Sequence, residues 1–276
     1  MSATAARTAW PAIISRAGEI VESYDTSVTL RQLFYRLVAE QLIPNTQAAY
    51  KRLSELTAEA RRRGEFPDLI DRGRQIHRHP WWTDPADAMD ALISQYRIDR
   101  TSGQDTSLYL GVEKAGLVIQ LEHWFADLGV PVLALGGYSS QTYVDEVAAD
   151  VRRQGRPAVL LYAGEHDPSG EDIDRDFEKR SACWDKVVRV ALTASQVEEY
   201  QLPPNPGKAT DSRAAGFIAR HGALVQVELD ALDPDDLRGL FTQAIEPFWD
   251  TSRYDVALAR ETGDIEALEF AARSIS

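Results

Sequence analysis

Cysteine is all but missing: the 276-residue chain holds one, Cys183. A single thiol excludes an internal disulfide and fits a reducing cytosol. Long apolar runs are missing too. None approaches the ~18 residues that a membrane span needs. The N-terminal stretch MSATAARTAWPAIISRAGEI lacks the apolar core of a secretion signal and reads as an amphipathic helix. No G-x-x-x-x-G-K-[ST] loop occurs, so ATP binding is not visible in the chain. There is no internal repeat and no low-complexity tract. Positive charge is in deficit, with 30 Lys and Arg against 43 Asp and Glu. The net charge of −13 argues against bulk affinity for nucleic acid.

What is present allows a sizeable core. Hydrophobic residues make up 44% of a chain long enough for one large or two ordinary domains. The acidity is uneven. Residues 1–82 carry 12 basic and 9 acidic side chains, a net of +3, so the remainder holds −16. Between the two halves lies IDRTSGQDTS (98–107), polar and rich in turn formers. The domain boundary is expected there, with one domain over 1–100 and another over 105–276.

The second part alternates strand and helix patterns. Strands are expected over 107–113, 130–137, 157–165 and 185–192, separated by helical stretches. That alternation predicts an α/β domain with a parallel sheet covered on both faces. In such sheets ligands bind beyond the carboxyl ends of the strands. Those ends carry Glu113, the pair Gly136-Gly137, and Glu165 with Asp167. Glu165 and Asp167 are two apart, so on a continuing strand they share a face. Carboxylates brought together repel unless a cation sits among them, and an oxygen-only donor set suits Mg²⁺. The plainer alternative is that these acids favour the helix N-terminus that follows.

The first part holds two helical patterns. TLRQLFYRLVAEQ places Leu30, Leu33, Phe34 and Leu37 on one face. Pro44 breaks it, and Asn45 or Thr46 can cap the next helix, expected from Gln47 to Arg63. That helix displays Lys51, Arg52, Arg61, Arg62 and Arg63 as candidate DNA contacts. Two helices joined by a tight turn, the second basic, suggest a helix-turn-helix. A solvated charged face with i,i+4 pairs such as Lys51–Glu55 accounts for the same pattern. Tyr35 lies about 100° from the core stripe and shares a face with Arg31. It is a candidate nucleophile, with Arg31 to favour the phenolate or to hold a phosphate. The alternative is a half-buried tyrosine with its polar tip in water.

Two motifs together resemble one family. GVEK (111–114) and GEHDPSGEDI (164–173) resemble a Toprim domain of the kind in the A subunit of topoisomerase VI. TLRQLFY (29–35) is similar to the tyrosine motif of that subunit and of the meiotic double-strand-break transesterase. The loop GGYSSQT (136–142) matches the family's small-residue loop, and reads equally as a plain strand–helix turn. The resemblance implies an N-terminal winged-helix domain, spanning about 29–75, followed by a Toprim domain with a Rossmann-like parallel sheet. It implies that Tyr35 attacks DNA and that Glu113, Glu165 and Asp167 bind Mg²⁺. The chain departs from the family at Glu165, where an Asp is usual.

The length is similar to that of the compact stand-alone forms called Mini-A, found on phages and mobile elements. The resemblance further implies a homodimer whose tyrosine and metal come from different chains, double-stranded DNA as substrate, and an ATPase of the B-subunit type as a separate partner. LPPNPGKATDSRAAGFIARHG (202–222) and VELDALDP (227–234) also resemble segments of these short proteins, with no role attached. Two other readings stay open. One is a Toprim nuclease that activates water, with Tyr35 structural. The other is a DNA-binding or assembly protein that does not cut.

Overall fold

The computed structural model describes residues 10–24, 27–70, 79–206 and 211–273. It is an α/β protein built on a four-stranded parallel sheet.

Three helices come first: α1 (Trp10–Ser23), α2 (Leu30–Ala39) and α3 (Gln47–Arg62). They close on a core that includes Ile13, Ala17, Leu33, Leu37 and Leu53. The sequence starts α2 sharply. Thr29 accepts from the Gln32 amide, and the Gln32 side chain accepts from the Thr29 amide, a reciprocal capping box. Thr46, not Asn45, caps α3, accepting from the Ala49 amide. Thr29 and Ile70 form a single β-bridge. Residues 71–78, on which the end of the expected winged helix falls, lie outside the described residues.

Helix α4 (Pro85–Gln95) leads into the polar stretch expected as a boundary. Its polar groups are in use. Arg100 and the Ile98 amide bind Glu261 of the C-terminal helix, and Arg156 donates to the carbonyls of Thr101 and Gln104.

The sheet contains β1 (Ser107–Val112), β2 (Val132–Ala134), β3 (Ala158–Ala163) and β4 (Lys186–Ala191), in the order β2-β1-β3-β4. Strands β1 and β3 run in register from Ser107↔Ala158 to Val112↔Ala163. Each is buried along its whole length, as expected for parallel strands covered on both faces. Successive side chains go to opposite sides. Leu108, Leu110 and Val112 enter one core with Leu121 of α5 (Ala115–Trp124). Tyr109, Leu160 and Tyr162 enter the other with α6 (Gln141–Gln154) and α7 (Gly170–Ser181).

Beyond β4 come α8 (Ala194–Glu199), the short pair β5 (Asn205–Pro206) and β6 (Val225–Gln226), and α9 (Ala214–His221). A buried 3₁₀ turn at Leu229–Ala231 precedes α10 (Pro234–Ile245), whose Leu237 and Phe241 cover the sheet beside α5. After a second 3₁₀ turn, the long α11 (Thr251–Ala272) closes the described chain, with Val256 and Phe270 exposed on it. No helix among the described residues is long and apolar enough to cross a membrane.

Candidate active site

The carboxyl ends of β1 and β3 stand side by side, so the residues just after them meet. Glu113 follows β1, and its Oε2 accepts from the Glu165 amide at 2.9 Å. Strand β3 stops at Ala163, two residues short of the expected end, so Glu165 and Asp167 lie in the loop rather than on a shared strand face. Asp167 Oδ1 accepts from the Gly170 amide at 2.6 Å, at the start of α7. The helix-terminus role expected as the plainer alternative is therefore real for Asp167.

Arg189 of β4 holds this loop in shape. It donates to the carbonyls of Glu165 (2.7 Å) and Gly170 (3.1 Å) and pairs with Asp174 at 3.1 Å. An arginine inside the apolar run DKVVRVAL was the sequence signal for it. The glycines complete the cradle. A Cβ on Gly170 would fall inside van der Waals contact with the Glu165 carbonyl and crowd Glu113 Oε2. One on Gly136 would collide with the Glu113 carbonyl. That gives Gly136 a steric reason; the next residue, Gly137, has a positive φ of 64° instead. Gly170→Ala is expected to cost about 2 kcal/mol, because backbone rather than a flexible side chain must move. Urea denaturation of the variant against the wild type measures it.

Glu165 is already engaged by a cation of the chain itself. Its carboxylate binds the Lys114 ammonium at 2.7 Å. The same ammonium binds Glu228 at 2.5 Å and Asp230 at 3.1 Å. Lys114 lies in GVEK and Glu228 and Asp230 in VELDALDP, but no spacing rule joins positions this far apart in the chain. Burial pushes Glu165 well above the ordinary carboxylate range, and its hydrogen bond with Glu228 adds to this. Burial also pushes Glu228 up, but the hydrogen bond from Glu165 and the charge of Lys114 bring it down overall. Burial opposes the charge on Lys114, and Asp230, Glu165 and Glu228 outweigh it. Burial raises Glu113, with Asp167 nearby adding to the rise.

Tyr35 stands over this group. Its ring centroid lies 5.0 Å from the Lys114 ammonium, and Arg31 Nη2 donates to its hydroxyl at 3.4 Å. The tyrosine is half-buried, packed edge-on against Phe34. Burial first, then Glu228, raises its pKa, and these outweigh the opposing pull of Arg31 and Lys114. The direction favours the neutral phenol, whose oxygen accepts from Arg31. A groove of about 340 Å³ opens beside the ring, lined by Arg31, Tyr35, Asn45, Thr46 and Tyr50. Thr46 and Gln47, at the start of α3, line it as well.

The structure thus brings Tyr35, Arg31 and the acidic edge together. It does not bring the basic residues of α3 with them. Lys51 is exposed one residue beyond the groove, whereas Arg61, Arg62 and Arg63 lie about 15 Å along the axis at the far end of the helix. Arg52 is paired with Glu55, and Arg63 with Glu59 and Glu65. Other arginines lie nearer the acids. Arg175, Arg189, Arg213 and Arg220 line a cleft of about 750 Å³ beyond Pro168, together with Glu171, Asp172 and Asp174.

Among the described residues, no three of Asp, Glu, His and Cys form a ready-made metal cage. Glu113 and Asp167 still suit Mg²⁺ as donors. Both are carboxylates at one edge, and Mg²⁺ takes one or two carboxylates and keeps several waters. Glu165 joins them only by exchanging Lys114 for the ion. No protein-family model matches the chain, and no curated protein matches it at a significant level.

Proposed function

We propose that this chain is a Mg²⁺-dependent DNA transesterase, a type IIB topoisomerase A-subunit-like protein in its compact stand-alone form, with Tyr35 as the nucleophile. Residues 1–100 are then the winged-helix domain and residues 105–276 the Toprim domain. One juxtaposition carries this reading. A half-buried tyrosine, hydrogen-bonded to Arg31, sits over Lys114 at the sheet edge that bears Glu113, Glu165 and Asp167.

The chemistry follows from the groups present. The Tyr35 oxygen attacks a DNA phosphorus, the bond to a deoxyribose oxygen breaks, and a phosphotyrosyl link forms. The phenol proton leaves Tyr35 and the departing deoxyribose oxygen takes one up, so the step is neutral in protons. Arg31 binds the phosphate beside the ring. Glu113 and Asp167 would hold Mg²⁺, which when bound offsets charge on the phosphate. Lys51 and the exposed arginines of α3 contact the duplex further out. A net charge of −13 overall makes that binding weak and steeply salt-sensitive. The working unit is a homodimer in the cytoplasm, with an ATPase subunit supplied separately for strand passage.

The test is transfer of label. An end-labelled duplex is incubated with the protein and Mg²⁺, then denatured. Label migrating with the protein is the expected result. Free cut ends would favour the hydrolytic nuclease, and intact DNA the binding or assembly protein.

A further inference from the structure

We infer that α9 is the backing of the candidate metal loop, with Phe217 and His221 as positioning residues that set where Asp167 stands relative to Glu113. This rests on the metal part of the proposed reading, and holds whether a tyrosine or a water attacks the phosphate.

Two parts of the chain hold the loop after β3. One is Arg189, which takes the carbonyls of Glu165 and Gly170. The other is the stretch from Arg213 to Val227, which engages the loop residue by residue. His166 exchanges both backbone hydrogen bonds with Val227, at 3.0 Å each. Ser169 Oγ accepts from Arg213 Nη2 at 2.9 Å. Glu171, in the first turn of α7, accepts from Arg220 at 2.7 Å, and its other oxygen lies 2.6 Å from His221 Nε2. Asp167 therefore stands between held neighbours, His166 before it and Ser169 two residues after.

Ring packing makes the joint at His166, which is 4% exposed. The Phe217 ring centroid lies 5.1 Å from the imidazole and that of His221 4.9 Å from it. Phe217 is fully buried. Yet among the described residues it joins neither the cores on the two faces of the sheet nor the core of the first three helices. Its burial serves a histidine that lies between Glu165 and Asp167 in the chain. A helix of eight residues is not stable alone in water. The loop and α9 thus order one another, and residues 213–227 gain a role that the sequence left open.

Placement matters because of the ion expected there. Mg²⁺ demands near-octahedral oxygen geometry, and one or two protein carboxylates leave little to correct an error in their position. Asp167 Oδ1 is tied to the Gly170 amide, so moving the loop moves the ligand. Groups behind metal ligands commonly carry about ten- to a hundredfold in affinity.

Mn²⁺ titration of the full chain, followed by electron paramagnetic resonance, tests the claim. The signal of the site is the binding component lost when Glu113→Ala and Asp167→Ala are combined. Phe217→Leu and His221→Gln should each weaken that component by about tenfold or more. His221→Gln removes the ring but keeps a donor for Glu171, which makes it the milder change for folding. Phe241→Leu is the matched control, an equally buried aromatic packed on Phe125. It should leave the affinity within about twofold of wild type. Equal weakening in all three variants would mean a general loss of stability and would overturn the inference. Wild-type affinity in both α9 variants would also overturn it and leave the metal reading intact. If the double alanine change removes no component, the metal reading falls, and the inference with it.

Discussion

Tyr35→Phe is expected to abolish covalent capture of DNA, lowering it by about 10³-fold or more, to background. Only the hydroxyl is removed. The ring keeps its contacts with Phe34 and Lys114, because neither uses the oxygen. The one hydrogen bond lost is the long one from Arg31, at 3.4 Å. Stability should therefore change by less than about 0.5 kcal/mol, and duplex affinity by no more than about twofold. Asp167→Ala should also lower capture, since it removes a proposed metal ligand and the carboxylate that caps the Gly170 amide. Excess Mg²⁺ should not rescue it. The hydrolytic reading predicts the reverse, with Tyr35→Phe still cutting and Asp167→Ala silent. A binding protein would cut in none of the three. Denaturing gels of the wild type and both variants separate the outcomes, and full cleavage by Tyr35→Phe would sink the nucleophile assignment.

The largest effect on stability is expected far from the tyrosine, at Glu261. Its carboxylate accepts from Arg100 Nε at 3.0 Å and Nη2 at 2.5 Å, and from the Ile98 amide at 3.1 Å. The side chains of Arg100 and Glu261 are 10% and 6% exposed. Glu261→Ala leaves a covered guanidinium and a backbone amide without their acceptor, which costs about 3 kcal/mol. The Arg100 bond to the Asp127 carbonyl survives and limits the loss. Glu261→Gln should cost less, because shape and one acceptor remain.

The acid dependence follows from the same pair. Hydrogen bonds from Arg100 hold Glu261 below the ordinary glutamate value of 4.5. A carboxyl depressed in the folded state contributes stability above its unfolded pKa and loses it as pH falls through the folded one. The gap between wild type and Glu261→Gln should therefore be widest at neutral pH and narrow in acid. Urea midpoints at neutral pH and below 4.5 test this. A gap independent of pH would mean that charge contributes nothing at this joint.

Much of the architecture was legible because its signals are local. Apolar runs of strand length broken by amphipathic helices gave four parallel strands within a few residues of their observed ends. Thr46 and Pro44 marked the turn between α2 and α3. The meeting of Glu113 with the 165–167 loop was legible from strand ends alone. The partners of Glu165 were not. Lys114 binds residues more than a hundred positions away, and helix or strand periodicity carries no information over that distance. The strand-face argument for Glu165 and Asp167 failed because β3 ends at Ala163 and alternation ends with it. The basic residues of α3 were read as one set because sequence proximity hides how far apart the two ends of a helix lie.

Arg36 of α2 pairs with Asp233 at 2.6 Å, and Lys114 beneath the Tyr35 ring pairs with Glu228 and Asp230; both joints have a consequence in time. The ribosome delivers Tyr35 about 190 residues before Glu228, which at ordinary elongation rates is a delay on the order of 10–40 s. Throughout that interval the tyrosine helix exists on the nascent chain without the carboxylates that fix Lys114 or the aspartate that grips Arg36. The tyrosine helix is thus made well before the segment that packs beneath it, and a chain stalled or cut before residue 228 carries Tyr35 without two of the carboxylates that hold Lys114.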